Sequence, residues 1–176
     1  MKATVLFLAM ICAALGASCG DPTHDDEVAA LGPEKPGVHP GPEHRAGQPC
    51  LVCHGGSGPG NPQFSIGGTA YAMQGSGLPL VGATVQLTDS LGSVKSTTTN
   101  SVGNFFIFES DWAPVAPIGG LGAAHEIQVC QGSCSDTSLP IAFMATHIGR
   151  DGSCADCHFN PPGPLTSGPI YLLAAP

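Results

Sequence analysis

The stretch ATVQLTDSLGSVKSTTTNSVGNFFIFES (Ala83–Ser110) contains three short segments in which apolar and polar residues alternate. The segments are ATVQLTD (83–89), SVKSTTTN (93–100) and GNFFIFES (103–110), and turn-forming residues separate them. Alternation with a period of two is typical of a strand that buries one face, and in the first segment it places Val85 and Leu87 on the buried face. The stretch therefore predicts three consecutive strands joined by short turns.

The same alternation continues on both sides of this stretch. The further segments are SIGGTAYAM (Ser65–Met73), HEIQVC (His125–Cys130), a weaker TSLPIAFMA (Thr137–Ala145) and PIYLL (Pro169–Leu173). No long stretch of the chain has helical periodicity. Short strands at this spacing, bounded by turn residues, predict an all-β protein, with a β-sandwich over residues 64–145.

The region Gly67–Phe108 resembles the carboxypeptidase regulatory-like, or transthyretin-like, β-sandwich family. PLVGATV (Pro79–Val85) and TTNSVGNF (Thr98–Phe105) closely match the pattern of that family. The resemblance covers about half of the mature chain and implies the sandwich fold. It implies no activity, because domains of this kind occur in proteins of many functions.

The pattern Cys-x-x-Cys-His occurs twice, as CLVCH (Cys50–His54) and as CADCH (Cys154–His158). It is the attachment pattern of c-type haem. Two thiols add to the two vinyl groups of the porphyrin, and the adjacent histidine ligates the iron. We therefore predict two haem c groups. The residues that bind them are Cys50, Cys53 and His54 for the first, and Cys154, Cys157 and His158 for the second.

Other uses of these cysteines stay open. Four thiolates could bind one zinc ion, or each pair could form a disulfide. A thioredoxin-like redox motif is a further alternative, but the βαβ context that it requires is missing. None of these alternatives explains why a histidine directly follows each cysteine pair.

A histidine also precedes each motif, His44 in HRAGQPCLVCH and His147 in HIGRDGSCADCH. A second axial ligand of His or Met suits haem iron to electron transfer, whereas an open position suits it to ligand binding or catalysis. We predict that His44 and His147 are the distal ligands of the two irons, each either at the haem of its own motif or at the other haem. His39 and Met144 are the alternatives to them.

Each of these segments also contains an arginine, Arg45 in the first and Arg150 in the second. The arginine side chain favours bidentate contacts with carboxylates. We therefore predict that both arginines pair with haem propionates.

Residues 1–18 have the pattern of an export signal. Lys2 is followed by the apolar run VLFLAMICAALGA, which is too short to span a bilayer comfortably. The stretch LGASC (Leu15–Cys19) resembles a bacterial lipoprotein box, although Gly16 stands where that family prefers Leu. The resemblance implies a lipid on Cys19 and a membrane anchor, with ordinary signal cleavage as the alternative.

Export places the mature chain in an oxidising compartment, where free thiols seldom persist. Cys130 and Cys134 are the cysteines that neither the motifs nor the export segment uses. Gly132 between them permits a tight turn, so we predict a small disulfide loop.

The charge of the chain excludes one class of partner. With 5 Lys and Arg against 13 Asp and Glu, the formal net charge is −8. Such a chain has no basic face that could neutralise a phosphate backbone, so nucleic acid is not an expected partner.

These features predict the organisation of the chain. The predicted parts are a signal peptide (1–18), a Pro/Gly-rich tether without helix or strand (19–49), a first haem loop (50–63), the β-sandwich (64–145), and a second haem loop with the C-terminal segment (146–176). The sequence leaves open whether the two haem loops lie on the same side of the sandwich.

The predicted function is electron transfer by an exported, lipid-anchored dihaem c-type cytochrome of the periplasm or outer membrane, including the cell surface. Its partners would be other redox proteins. The chain resembles the multihaem cytochromes of metal-reducing and related bacteria that include such sandwich domains. The alternatives are a haem enzyme or sensor with one open iron position, and a structural surface lipoprotein whose cysteines bind zinc or form disulfides.

Overall fold

The computed structural model describes residues 21–56, 58–115, 126–144, 152–161, 164 and 166–173. Within them, each segment predicted to be a strand contains one. The strands are β1 (Phe64–Met73), β2 (Thr84–Thr88), β3 (Val94–Thr98), β4 (Asn104–Phe108), β5 (Glu126–Cys130), β6 (Ile141–Met144) and β7 (Ile170–Leu173). The prediction of these strands is confirmed, and the described part of the chain is mostly β.

The strands form two sheets. The first has the order β4-β1-β7, in which β1 is antiparallel to β4 and parallel to β7. The second has the order β3-β2-β5-β6, and all of its neighbouring strands are antiparallel. The long strand β1 is the centre of the first sheet and therefore has neighbours on both edges.

The hydrophobic core contains side chains from both sheets. Ile66 and Phe105 come from the first sheet, and Val85, Leu87 and Val129 come from the second. Val85 and Leu87 have no exposed surface, which confirms the direction predicted from alternation. These side chains of the two sheets pack together in one core, as in a sandwich.

We expect Leu87→Ala to lower the free energy of unfolding by about 2–5 kcal/mol, because it leaves a cavity where a fully buried side chain was. Leu91 is the matched control, since 76% of its surface is exposed. Leu91→Ala should change the free energy of unfolding by no more than about 0.5 kcal/mol. Equal effects of the two substitutions in chemical denaturation would contradict this description of the core.

The segment before the first motif is not the structureless tether that we predicted. Helix α1 (Pro22–Ala30) forms in a compact unit that ends at Leu31, and all strands belong to the unit that begins at Gly32. The Asp21 carboxylate accepts hydrogen bonds from the backbone N–H groups of Thr23 and His24, and Pro22 occupies the first helical position. This capping favours a helix where the Pro/Gly-rich composition indicated none.

Cys130 and Cys134 are joined by a disulfide that closes a short loop at the end of β5. Cys130 has no exposed surface, whereas the loop after it is exposed. Gly132 has a φ of 91°, which lies in the left-handed region that glycine adopts readily. The bridge thus ties the end of β5 to the turn that leads into β6.

Candidate functional site

The first motif forms the short helix α2 (Cys50–His54), which packs on β1. Pro49 precedes the helix, and the Gly55 N–H bonds the Leu51 carbonyl at 2.9 Å where it ends. Residues i, i+3 and i+4 of a helix share one face. A single helical turn therefore places Cys50, Cys53 and His54 on the same side of α2.

The second motif also forms a tight helical turn. A 3-10 helix spans Cys154–Asp156, and the His158 N–H donates a hydrogen bond of 2.9 Å to the Cys154 carbonyl. The chain enters this turn beside β1, because Ser153 pairs with Gly67 in a parallel bridge. Cys154 is buried in the hydrophobic core, whereas Cys157 is exposed.

The imidazoles of the two motifs have the same kind of partner. Nδ1 of His54 lies 2.8 Å from the Pro62 carbonyl oxygen, and Nδ1 of His158 lies 2.7 Å from the Gly168 carbonyl oxygen. A carbonyl only accepts hydrogen bonds, so each Nδ1 carries the proton and donates it. The Nε2 lone pair of each ring is then available to a metal, as in most metal-binding histidines.

His44, the predicted distal ligand of the first haem, lies next to the motif histidine. The ring centroids of His44 and His54 are 5.8 Å apart, and the ring planes make an angle of 61°. Two imidazoles on opposite sides of one first-row metal have ring centres about 6 Å apart, because each nitrogen lies about 2 Å from the metal. The separation of the two rings is therefore close to that of two ligands of one iron.

Glu34 contacts His44 from outside the motif. Its carboxylate Oε2 is 3.6 Å from Nδ1 of His44 and 3.5 Å from Nε of Arg45. A carboxylate beside one ring nitrogen of a histidine orients the ring and leaves the other nitrogen for a metal. Sequence reasoning missed Glu34, since it lies ten residues before His44 and belongs to no motif.

The side chain of Arg45 contacts other residues of the same chain. Its guanidinium donates hydrogen bonds to the Gln48 side chain at 2.9 Å and to the Gly32 carbonyl at 2.8 Å, besides its ion pair with Glu34. Its backbone has a φ of 51°, which costs a non-glycine residue about 1–2 kcal/mol. Arg45 thus holds the segment around His44, and its pairing with a haem propionate stays a prediction.

Two buried polar residues fix the His44 segment to the first sheet. The Asn104 side-chain amide donates hydrogen bonds to the carbonyl oxygens of His44 at 2.9 Å and of Pro42 at 3.2 Å. Its oxygen accepts a bond of 2.7 Å from the Thr69 hydroxyl, which itself accepts from the Gly47 N–H at 2.8 Å. Asn is uncommon within strands, so its presence at the start of β4 was the available signal for this role.

We expect Asn104→Ala to lower the free energy of unfolding by about 1–3 kcal/mol, because buried polar partners lose their hydrogen bonds. Ser96→Ala on the exposed side of β3 is the control and should have little effect. Chemical denaturation of both variants measures the difference. If Asn104→Ala is as stable as the native chain, Asn104 does not fasten the His44 segment.

The glycine-rich loop after the first motif wraps closely around it. A Cβ added to Gly60 would lie 2.8 Å from Nδ1 of His54, and one added to Gly58 would clash with the Cys53 carbonyl oxygen. The Gly60 N–H also bonds that carbonyl at 2.6 Å. Side chains at these positions would push the loop away from the imidazole, which explains the glycines.

Aromatic rings cover one face of the His54 imidazole. Phe64 stacks on His54 with a centroid distance of 4.2 Å and an interplanar angle of 7°, and Phe106 stacks on Phe64 at 4.7 Å. Phe108 lies beside both phenylalanines. All three are half-buried on the outer face of β1 and β4, so they form an apolar surface next to the first motif.

The state of the motif cysteines bears on the alternatives to haem. The structure describes all four and forms no disulfide among them. Burial raises the pKa of the Cys50 thiol to about 11, whereas a redox-active thiol needs a lowered pKa. Among the described residues, no three His, Cys, Asp or Glu side chains come together as a metal site of their own.

The other predicted residues have different positions. His39 is exposed, and Met144 at the end of β6 packs against the hydrophobic core. His147, Arg150 and Cys19 lie outside the described residues. The geometry of the site therefore favours His44 over His39 for the first motif, and a distal ligand for the second motif stays a prediction.

No protein-family model, curated protein sequence or solved structure matches this chain significantly. In the part of the chain that the structure describes, no helix combines the length and apolar character needed to cross a membrane.

Proposed function

We propose that the chain is an exported dihaem c-type cytochrome that transfers electrons between redox partner proteins. The observation that carries the proposal is the shared arrangement of the two Cys-x-x-Cys-His turns. In each, both cysteines lie outside any disulfide, and the following histidine donates Nδ1–H to a backbone carbonyl. Each motif thus supplies the groups that haem c needs from the chain, two thiols and one imidazole, with Cys154 the most buried of the four thiols.

Haem c supplies a one-electron Fe(III)/Fe(II) couple when it is bound. The chain supplies the groups around it. Cys50, Cys53, Cys154 and Cys157 provide the thioether links, and His54 and His158 provide the proximal ligands. The carbonyl partners of the two imidazoles fix the ring tautomers and leave the other ring nitrogens to face a metal.

His44 is the proposed distal ligand of the first haem. Its ring centre lies 5.8 Å from that of His54, and Glu34 contacts its Nδ1. With imidazoles from both His44 and His54, no coordination position would be open to a substrate, so this arrangement would favour electron transfer over catalysis. We propose the same role for His147 at the second haem, on the evidence of the repeated sequence pattern alone.

The surrounding fold and the location belong to the same proposal. The two packed sheets and the matches at Pro79–Val85 and Thr98–Phe105 support a carboxypeptidase regulatory-like sandwich as the scaffold. The export pattern and the lipoprotein-like box support a lipid anchor on Cys19 at the outer membrane or in the periplasm. Covalent haem attachment to exported proteins agrees with that location.

A visible spectrum of the mature protein tests the proposal. The protein should be produced in a host that attaches haem c outside the cytoplasm, and the haem should be counted per chain after denaturation in alkaline pyridine. We expect the absorption bands of reduced c-type haem and two haems per chain. A colourless protein would exclude the proposal, and metal analysis for zinc would then test the structural lipoprotein.

Carbon monoxide distinguishes the carrier from the enzyme or sensor. Two irons with histidine on both sides should leave the reduced spectrum unchanged under carbon monoxide. Rapid binding by the native protein would favour a haem with an open position, as in a sensor or peroxidase-like enzyme.

A further inference from the structure

Both motifs pack against neighbouring residues of one strand. A Cβ added to Gly67 of β1 would lie 2.9 Å from Cβ of Cys50, and one added to Gly68 would lie 2.7 Å from Cβ of Cys154. Neither glycine has a positive φ, so backbone conformation does not require them. The cysteine side chains of the two motifs occupy the space that side chains at these positions would fill.

Successive residues of a strand point to opposite faces of the sheet. Cys50 therefore lies over the outer face of β1, whereas Cys154 lies on the face that also contacts Phe105 in the core. The backbone between the two contact points is a single peptide unit. Added Cβ atoms would be 3.4 Å from Sγ of Cys50 and 3.1 Å from Sγ of Cys154, so the two sulfurs are at most about 14 Å apart.

A second contact joins the two motif segments near Tyr71 of the same strand. The Asn160 amide, two residues after the second motif, donates a hydrogen bond of 2.7 Å to the Tyr71 hydroxyl. A Cβ added to Gly47, three residues before the first motif, would lie 2.8 Å from that hydroxyl and 3.7 Å from Cβ of Asn160. The segments around the two motifs thus meet, although a hundred residues separate them in the sequence.

We propose that Gly67 and Gly68 are positioning residues that hold the two motifs, and hence two haems, as one coupled pair on β1. The proposal rests on the proposed haem binding and deepens it. In haem c, each cysteine sulfur is bonded directly to a carbon on the edge of the porphyrin. The two porphyrin edges that carry these links would therefore be about as close together as the two sulfurs. A pair of this kind is a single redox unit with two centres rather than two independent carriers at opposite ends of the sandwich.

Circular dichroism in the Soret region tests the pair on the native holoprotein. Two porphyrins at short distance couple their strong Soret transitions and produce adjacent positive and negative bands. We expect such a couplet, and we expect it to be absent from the summed spectra of two single-haem variants, Cys50→Ala/Cys53→Ala and Cys154→Ala/Cys157→Ala. The couplet should be independent of protein concentration.

The possible results separate the inference from the proposed function. A protein with two haems per chain and no couplet, or with a couplet that disappears on dilution, would overturn the pair and leave the cytochrome assignment intact. A protein without haem would overturn both. Because the native spectrum alone decides whether the couplet exists, the test does not depend on the folding of the variants.

Gly68→Ala tests the role of the glycines. The added methyl group would lie within 3 Å of both Cys154 and Phe105, so we expect Cys154 to move and the couplet to change in size or shape. Gln74→Ala is the control, because Gln74 follows β1 directly and is exposed, so its truncation should leave the couplet unchanged. An unchanged couplet in Gly68→Ala protein with two haems would show that Gly68 does not position the pair.

Discussion

Removal of both cysteines of one motif is expected to leave one covalently bound haem per chain. In Cys50→Ala/Cys53→Ala, the second motif keeps its turn and the bond between His158 and the Gly168 carbonyl, so only the first haem should be lost. In Cys154→Ala/Cys157→Ala, the helix α2 and the bond between His54 and the Pro62 carbonyl remain. Intact mass and the pyridine spectrum measure the haem content of each variant.

The disulfide offers a matched control for these variants. Cys130→Ala/Cys134→Ala also removes two cysteines from the chain, but it should retain both haems. Loss of a bridge between residues four positions apart should lower the free energy of unfolding by about 2 kcal/mol in the chain-entropy description. A motif variant that still carries two haems would contradict the assignment of that motif, whereas loss of haem from the control would indicate a general folding defect.

His44→Ala is expected to open the first iron to carbon monoxide. With the distal imidazole removed, about one of the two haems per chain should bind carbon monoxide after reduction, whereas the native protein should bind none. The ferric spectrum should gain a high-spin component of the same proportion. Titration of the reduced protein, with each single-haem variant as a reference, shows which haem has changed.

His39→Ala is the control for this substitution, because His39 is five residues away and exposed. It should leave carbon monoxide binding at the native level. Carbon monoxide binding by His39→Ala but not by His44→Ala would assign the distal position to His39 instead. Glu34→Ala should have a weaker effect than His44→Ala, because it removes only the partner of Nδ1 and leaves the ligand in place.

The strands were predictable because burial of one face of a strand requires apolar and polar residues to alternate in the sequence. Val85 and Leu87 alternate with polar residues, and both are fully buried in the core. The helix α1 was missed for a different reason. Its stability depends on the capping carboxylate of Asp21 and on Pro22 at its start, and a judgement from overall Pro and Gly content does not detect such local effects.

The groups that bear on the candidate site were predictable only in part. The cysteines and histidines of the motifs have a spacing that haem attachment explains, so they are recognisable in the sequence. Glu34, Thr69 and Asn104 carry no such spacing, since each acts through a contact with a residue distant in the chain. A buried polar residue must form hydrogen bonds, but its partners can be identified only once the fold shows which groups lie beside it.

The sequence by itself determined the chemistry proposed for this protein, because two thiols and an imidazole at fixed spacing are a local property of five residues. It also determined which segments are strands. Only the tertiary structure decided that both motifs lie against Gly67 and Gly68 of β1. The reason is that pairing of β1 with residues near 105, 153 and 171 depends on the packing of the whole chain. No local pattern specifies which sheet edge or face a distant segment will occupy.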